Sequence, residues 1–282
     1  MATLKVGKSL QDTDMLWRYM SLDKFIDLVE SKTLFFAPLA WFEKTDPFEG
    51  YLPQVCMEAV ASISRKFRDE HIGSVQKLAQ LLPKSAGPQI EKLREDCEMH
   101  LPTMKALHKN ISACLMVNCW YRSNHESEGM WGLYSRSGVA IRTSVKSLKT
   151  AILKDEKSPV IHMGAIKYID FSDEKLKPSD CVTVDGHLMG MVKRIAYSHE
   201  NEVRMYITGE REKGNLELKK PASTRISFDL ESLLEAVVIS PFAGASLDRS
   251  VRAICRWSGV KENIVSKSTL LDNCEYLLNA YN

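Results

Sequence analysis

The chain reads as an α+β fold, a mixed or antiparallel sheet core with flanking helices, and three observations predict it. A short aromatic strand, an amphipathic helix and a second strand follow one another near the N-terminus. Late in the chain, Val203, Met205 and Ile207 alternate with polar residues, the period of two that marks a half-buried strand. The last third then alternates short apolar runs with helical periodicities, the pattern of a sheet carrying helices on its faces.

In chain order, Leu16–Met20 is the aromatic strand. Ser21 offers an N-cap, and Asp23 falls in the first turn, where a carboxylate suits the helix dipole. Phe25, Ile26, Leu28 and Val29 then recur at helical spacing as far as Ser31. Thr33–Ala37 is the second strand, ended by Pro38, and Asp46-Pro47-Phe48-Glu49-Gly50 lies in a turn-rich loop. Helical periodicity follows over 54–72 and 88–109, broken by Pro83 to Pro88. Strand texture returns at Ala113–Trp120, then a short helix at Glu128–Ser135 and a buried strand at Gly138–Thr143. Further on come a strand at Gly164–Phe171, a helix over 186–197 and a strand at Glu200–Thr208. Strands at Arg225–Phe228, Ala236–Ser240 and Ile264–Ser268 alternate with helices at Leu230–Glu235 and Leu247–Ser258.

At 282 residues the length suits one large domain or two small ones. The reading is a single domain over 1–282, with 54–110 a helical insertion or subdomain inside it, serving as a lid or an oligomer contact. Hydrophobic residues make up 44% and charged residues 26%, enough to bury a sizeable core. Thirty-eight basic against 36 acidic side chains leave +2, so no global field announces nucleic acid or membrane. The longest apolar runs, Ala113–Val117 and Ala236–Ile239, fall far short of the roughly 18–20 residues a membrane span needs. The first residues lack an apolar signal core. Seven cysteines, odd in number and without a CxxC pair, argue against a disulfide framework and a zinc ribbon. A reducing, cytoplasmic setting is expected, with no membrane partner.

The most informative stretch is His199 to Tyr206. On a strand, Glu200, Glu202, Arg204 and Tyr206 share one face while Val203, Met205 and Ile207 share the other. Two carboxylates and a guanidinium in a row suit acid–base work or stabilisation of a cation; the competing reading is a solvated face with a salt bridge between neighbours. Trp131 and Tyr134 share a helix face and could sandwich a planar ring, or pack in the core. Arg18-Tyr19, just ahead of a helix N-terminus, could clamp a phosphate or pyrophosphate; otherwise Arg18 pairs with Asp46 or Glu49. Those two acids together with Glu200 and Glu202 could instead hold a divalent metal, as in a nuclease. The seven histidines lack HExxH or HxH spacing, so no zinc site is expected. GxGxxG, Walker and GxSxG motifs are absent. Lys193-Arg194 and Lys219-Lys220 are short basic patches.

Five blocks in order, Leu16-Trp-Arg-Tyr-Met-Ser-Leu-Asp-Lys-Phe25, Asp46-Pro-Phe-Glu-Gly50, Gly129-Met-Trp-Gly-Leu-Tyr134, Gly138-Val-Ala-Ile141 and Glu200-Asn-Glu-Val-Arg204, resemble a widespread bacterial and phage family of domains of unknown function. More distantly, an early Arg18, the middle Trp131/Tyr134 with Thr143-Ser144, and a late Glu200-x-Glu202 are similar to the ordered motifs of ADP-ribosyltransferase folds. That resemblance implies a split sheet and a transferase using NAD as substrate, a toxin or phage-defence effector that modifies nucleic acid or protein. It implies that Glu202 steadies positive charge on the ribose, that Glu200 orients or deprotonates the acceptor, that Arg18 holds the pyrophosphate, and that Tyr134 or Trp131 stacks on nicotinamide, with Tyr19 and Arg204 in the binding set. A neutralising antitoxin and a homo-oligomer are the further partners that such a protein would have. Two rivals stand beside it: the metal-dependent nuclease, and a non-catalytic module binding a nucleotide or a protein.

Overall fold

The computed structural model describes residues 4–152, 159–187, 190–208, 223–275 and 277–278, with the side chains of 107–113 outside that description. The elements in order are β1 (Leu4–Val6), β2 (Met15–Ser21), α1 (Leu22–Ser31), β3 (Thr33–Pro38), α2 (Gln54–Leu81), α3 (Gly87–Glu98), α4 (His100–Cys114), β4 (Leu115–Arg122), α5 (Glu128–Tyr134), β5 (Gly138–Ser144) and α6 (Val145–Ala151). There follow β6 (Ile161–Ala165), β7 (Lys167–Ile169), β8 (Val192–Arg194), β9 (Glu202–Thr208), β10 (Thr224–Ser227), α7 (Leu230–Leu233), β11 (Ala236–Ile239), α8 (Ala245–Ser258) and β12 (Val265–Lys267). This is a mixed α+β architecture. No helix among the described residues is long and apolar enough to cross a membrane.

One sheet runs in the order β1-β6-β9-β4-β2-β5-β11-β12, with β3 beside β4 and β10 beyond β3. Its centre is antiparallel, and its two ends close with parallel pairs, β1 on β6 and β12 on β11. Strand alternation sorts its side chains. Leu16, Met20, Trp120, Val139, Ile141, Val203, Met205 and Ile207 form the main core with Phe25, Leu28 and Val29 of α1, Val145 and Leu148 of α6, and Val251 and Cys255 of α8. The opposite face carries Trp17, Tyr19 and Ala140 under Met130 and Trp131 of α5. A separate two-stranded sheet, β7 with β8, belongs to this second side of the molecule, where Ile169 and Val192 pack with Leu52 and Cys56.

The sheet has one weak seam. β2 holds β5 through seven residue pairs but meets β4 through two, Leu16 with Arg122 and Trp17 with Tyr121. Beyond them β4 turns to β3, pairing Val117 with Ala37 and Met116 with Pro38. The sheet therefore parts between Arg18 on β2 and residues 118–120 on β4.

Several sequence expectations need correction. The expected helix at 186–197 is instead β8 followed by a 3-10 turn, Ile195–Glu200. Gly186 and Gly190 adopt left-handed φ of 79° and 72°, which a continuous helix cannot contain. The strand expected from Glu200 starts at Glu202, because Asn201 takes a left-handed φ of 34° and ends the 3-10 turn. The strand expected at Gly164–Phe171 is two strands in different sheets, parted at Ile166, whose N–H donates to the Glu202 carbonyl at 2.9 Å. Helical structure over 54–114 continues further than the periodicity suggested, as α2, α3 and α4, and delays β4 to Leu115. Ser21 stands at the N-cap of α1, but without a side-chain cap bond to the helix backbone. The Lys219-Lys220 patch lies outside the described residues.

Gly138 shows how tightly β5 approaches its neighbours, since a Cβ there would collide with the Met20 carbonyl oxygen and the Ser135 hydroxyl. Overpacking against backbone relaxes poorly. Gly138→Ala is expected to lower the unfolding free energy by about 1–3 kcal/mol in urea melts.

Candidate functional site

Four segments converge on the second face of the sheet. β9 supplies Glu202 and Arg204, two residues apart and so on one side of the strand. The 3-10 turn before it supplies Glu200, β8 supplies Lys193, and the loop after β3 supplies Asp46 and Glu49. Asn201 fixes the turn that brings Glu200 back: its side-chain amide donates to the Arg122 carbonyl at 2.5 Å, and its own carbonyl accepts from Arg122 N–H at 3.0 Å.

Lys193 Nζ lies at the centre, 2.6 Å from Glu200 Oε2, 3.4 Å from Glu49 Oε2 and 3.5 Å from Glu202 Oε2. Arg204 grips Glu202 with two nitrogens, Nε to Oε1 at 2.7 Å and Nη2 to Oε2 at 3.1 Å. Its Nη1 also donates to Glu49 Oε1 at 2.8 Å and to the Gly190 carbonyl at 2.6 Å. Three carboxylates against two cations leave one formal negative charge in this buried group. Asp46 stands beside it, paired with Arg194 at 2.6 Å. Over the top, the half-exposed Tyr134 donates its hydroxyl to Glu200 Oε1 at 3.0 Å.

The electrostatics follow from burial and pairing together. Burial alone would raise the Glu202 pKa, but Arg204 and then Lys193 overcome it and hold the carboxyl down at about 2. Burial would likewise strip Lys193 of its proton; Glu202, Glu49 and Glu200 reverse that and raise its pKa. Burial raises the Cys119 thiol, and the neighbouring Glu202 carboxylate adds to the shift. Desolvation, and then Glu200, keeps the Tyr134 phenol protonated well above its ordinary range.

The residues singled out in the sequence divide into two groups. Glu200, Glu202, Arg204 and Tyr134 come together. Glu200 does so from the 3-10 turn rather than from the strand face on which the spacing put it. Trp131 is fully buried, donates Nε1–H to Glu126 at 2.9 Å and packs edge-on against Tyr19 at 4.9 Å. It is a core residue and presents no face to a ligand. Tyr19 is buried too, its hydroxyl accepting from Ser127 N–H at 2.8 Å.

Arg18 leaves the sheet on the opposite face from Glu202. Trp17, Tyr121 and Glu202 stand directly across from one another and share a face, so Arg18 projects the other way, its guanidinium 5.8 Å from the Trp120 ring. Neither Asp46 nor Glu49 pairs with it, since both have taken other cations. Its Nη1 is buried without a hydrogen-bond partner among the described residues, as is the Thr143 hydroxyl on the same face of adjacent β5. Burial lowers the Arg18 pKa, with Cys119 acting against that shift. The guanidinium sits where the sheet parts.

Asp46, Glu49, Glu200 and Glu202 gather as the nuclease reading required, but each already has a cation against it. Among the described residues no three His, Cys, Asp or Glu side chains are grouped to hold a metal ion. Lys193, read in the sequence only as half of a short basic patch with Arg194, is the residue whose place at the acid pair sequence reasoning missed. Its apolar neighbours Met191 and Val192 were the further signal, and a helix expected over that stretch hid it. No family model matches the chain, and neither a curated protein nor a solved structure does.

Two outcomes are expected. Glu202 ionises more readily folded than unfolded, so its contribution is complete above the ordinary carboxyl value of 4.5 and disappears as pH falls towards about 2. Wild-type stability should fall by a few kcal/mol across that window in denaturant titrations, and Glu202→Gln should flatten the dependence. Lys193→Met leaves three facing carboxylates without their central cation and should cost about 3–5 kcal/mol at neutral pH, the loss shrinking as the medium is acidified.

Proposed function

We propose that the chain is an NAD-dependent ADP-ribosyltransferase-like enzyme. The observation that carries this reading is the parting of the sheet between β2 and β4, with Arg18, whose Nη1 has no hydrogen-bond partner among the described residues, at the seam and a fixed carboxylate, Glu202, on the other face. A ligand admitted at that seam would meet a site for an anion and a site for a developing cation. NAD has both, a pyrophosphate and a ribose that becomes positively charged as its bond to nicotinamide breaks. The split-sheet fold implied by the sequence resemblance agrees with the two-pair seam.

In this reading Glu202, held by Arg204 and Lys193, is the preorganised charge that favours the oxocarbenium-like ribose, and needs no rearrangement as that charge appears. The residual negative charge of the cluster works in the same sense. Glu200, reached by solvent beneath Tyr134, orients the acceptor and takes its proton. Tyr134, bonded to Glu200, is the aromatic wall for the nicotinamide, which leaves Trp131 with a structural role only.

One observation favours a second reading, a nucleotide-binding module without catalysis: both oxygens of Glu202 are taken by Arg204 and Lys193. Nicotinamide release from NAD by the full chain separates the two. The enzymatic reading expects release, a loss of about 10²-fold or more in Glu200→Gln, and weakened NAD binding in Arg18→Ala, with melting temperatures recorded for each variant. A melting temperature raised by NAD without any nicotinamide release would leave the binding module. Neither effect would remove both.

A further inference from the structure

Sequence spacing pairs none of the seven cysteines, yet the fold brings two of them together. Cys56 lies in the first turn of α2, and Cys181 ends the 3-10 turn Pro178–Cys181 that follows β7. Both are free thiols and both are buried, Cys181 completely. Cys56 Sγ donates to the Pro178 carbonyl and Cys181 Sγ to the Lys177 carbonyl, each at 3.7 Å. Those carbonyls belong to consecutive residues, so one short turn of backbone holds both sulfurs. The two thiols are also within hydrogen-bonding reach of each other.

Buried cysteine is commonly no more than a small hydrophobe. Two features set this pair apart. Its members come from segments far apart in the chain, and they meet in a small core with Leu52, Ile169 and Val192, where the base of the helical insertion rests on the β7–β8 sheet. That sheet carries Lys193. The pair also lies only one layer deep. Residues 177–180 and Val182, on either side of Cys181, are exposed, so opening of this single turn uncovers both sulfurs while the large sheet stays whole. Burial, and then Cys56 beside it, push the Cys181 thiol up to about 12. While the turn is closed, the protonated sulfur is a poor nucleophile.

We propose that Cys56 and Cys181 form a redox pair, oxidised by hydrogen peroxide to a disulfide that fastens the helical insertion to the β7–β8 sheet, and opened again by small thiols. In the first step one sulfur attacks a peroxide oxygen: the O–O bond breaks, an S–O bond forms, and the thiol proton leaves in a water molecule. Once the turn recloses, the other sulfur attacks the sulfenic sulfur. The S–S bond forms, the S–O bond breaks, and the hydroxyl departs as a second water with the remaining proton. Two thiols are thus oxidised and one peroxide is reduced to two waters. Two molecules of a small thiol reverse the reaction and end as their own disulfide. The cross-link closes a loop of well over a hundred residues and so removes conformations from the unfolded chain. None of this depends on the enzymatic reading above.

The test uses the full chain, reduced, desalted, exposed to hydrogen peroxide and then alkylated. Peptide mass spectrometry should find Cys56 joined to Cys181, and dithiothreitol should return both as alkylatable thiols. The melting temperature of the oxidised chain should exceed that of the reduced chain by about 5 °C or more, whereas Cys56→Ala and Cys181→Ala should show no such difference. Both residues alkylated after peroxide, either one carried on to sulfinic acid instead, or a bond to a third cysteine in place of this one, overturns the pair. A bond between Cys56 and Cys181 that leaves the melting temperature unchanged or lowers it overturns the fastening. The mass measurement needs the wild type alone, so a variant that folds poorly does not blur the outcome.

Discussion

The charged cluster on the second face of the sheet is organised around the Lys193 ammonium. Three carboxylates from three separate segments meet there, and without a cation between them they could not share so small a dry volume. Buried ion pairs seldom add net stability over a well-packed apolar core, but breaking one leaves an uncompensated charge. Their effect is to fix register. Lys193 and Arg204 together pin the loop after β3, the 3-10 turn and β8 to the same short length of β9. Movement of any one of them away from β9 would expose a charge to an apolar setting. That constraint is what holds Glu202 motionless and ionised and leaves Glu200 at the rim, beneath Tyr134.

The same constraint explains the division of labour within one loop. Asp46 and Glu49 act as its roots, and the aromatic residues between and around them are left free to face out. Rigid support from beneath and apolar surface above stand in contrast to the opposite side of the sheet, where α1, α6 and α8 complete an ordinary core.

Much of the fold was legible in the sequence. The opening strand–helix–strand, the alternation after Glu202 and the strand–helix rhythm of the last third all carry local periodicity, and each formed close to where that periodicity lay. The failures have a common cause. Residues 186–201 owe their path to Gly186, Gly190 and Asn201 in left-handed conformations and to charges that meet only in three dimensions. No window of hydrophobicity reports either. Glu200 and Glu202 were found by their spacing, although the reason given for their proximity, a common strand face, was not the operative one. Lys193 was legible only as part of a basic patch because its importance comes from partners lying as far back as Glu49. Arg18 shows the converse: its place on β2 was plain, but which face it took depended on the pairing of Trp17 with Tyr121.

That pairing is one of the two residue pairs by which β2 and β4 join two half-sheets. On one side stand β2, β5, β11 and β12; on the other, β4, β9, β6 and their neighbours. Ladders of seven pairs flank the join on either side, along β2–β5 and β4–β9. Fluctuations of the native state open first where backbone bonds are fewest. The seam beside Arg18 is thus where the sheet has least backbone pairing to lose, two residue pairs against seven on either flank, while the apolar core beneath it runs on unbroken from one half to the other.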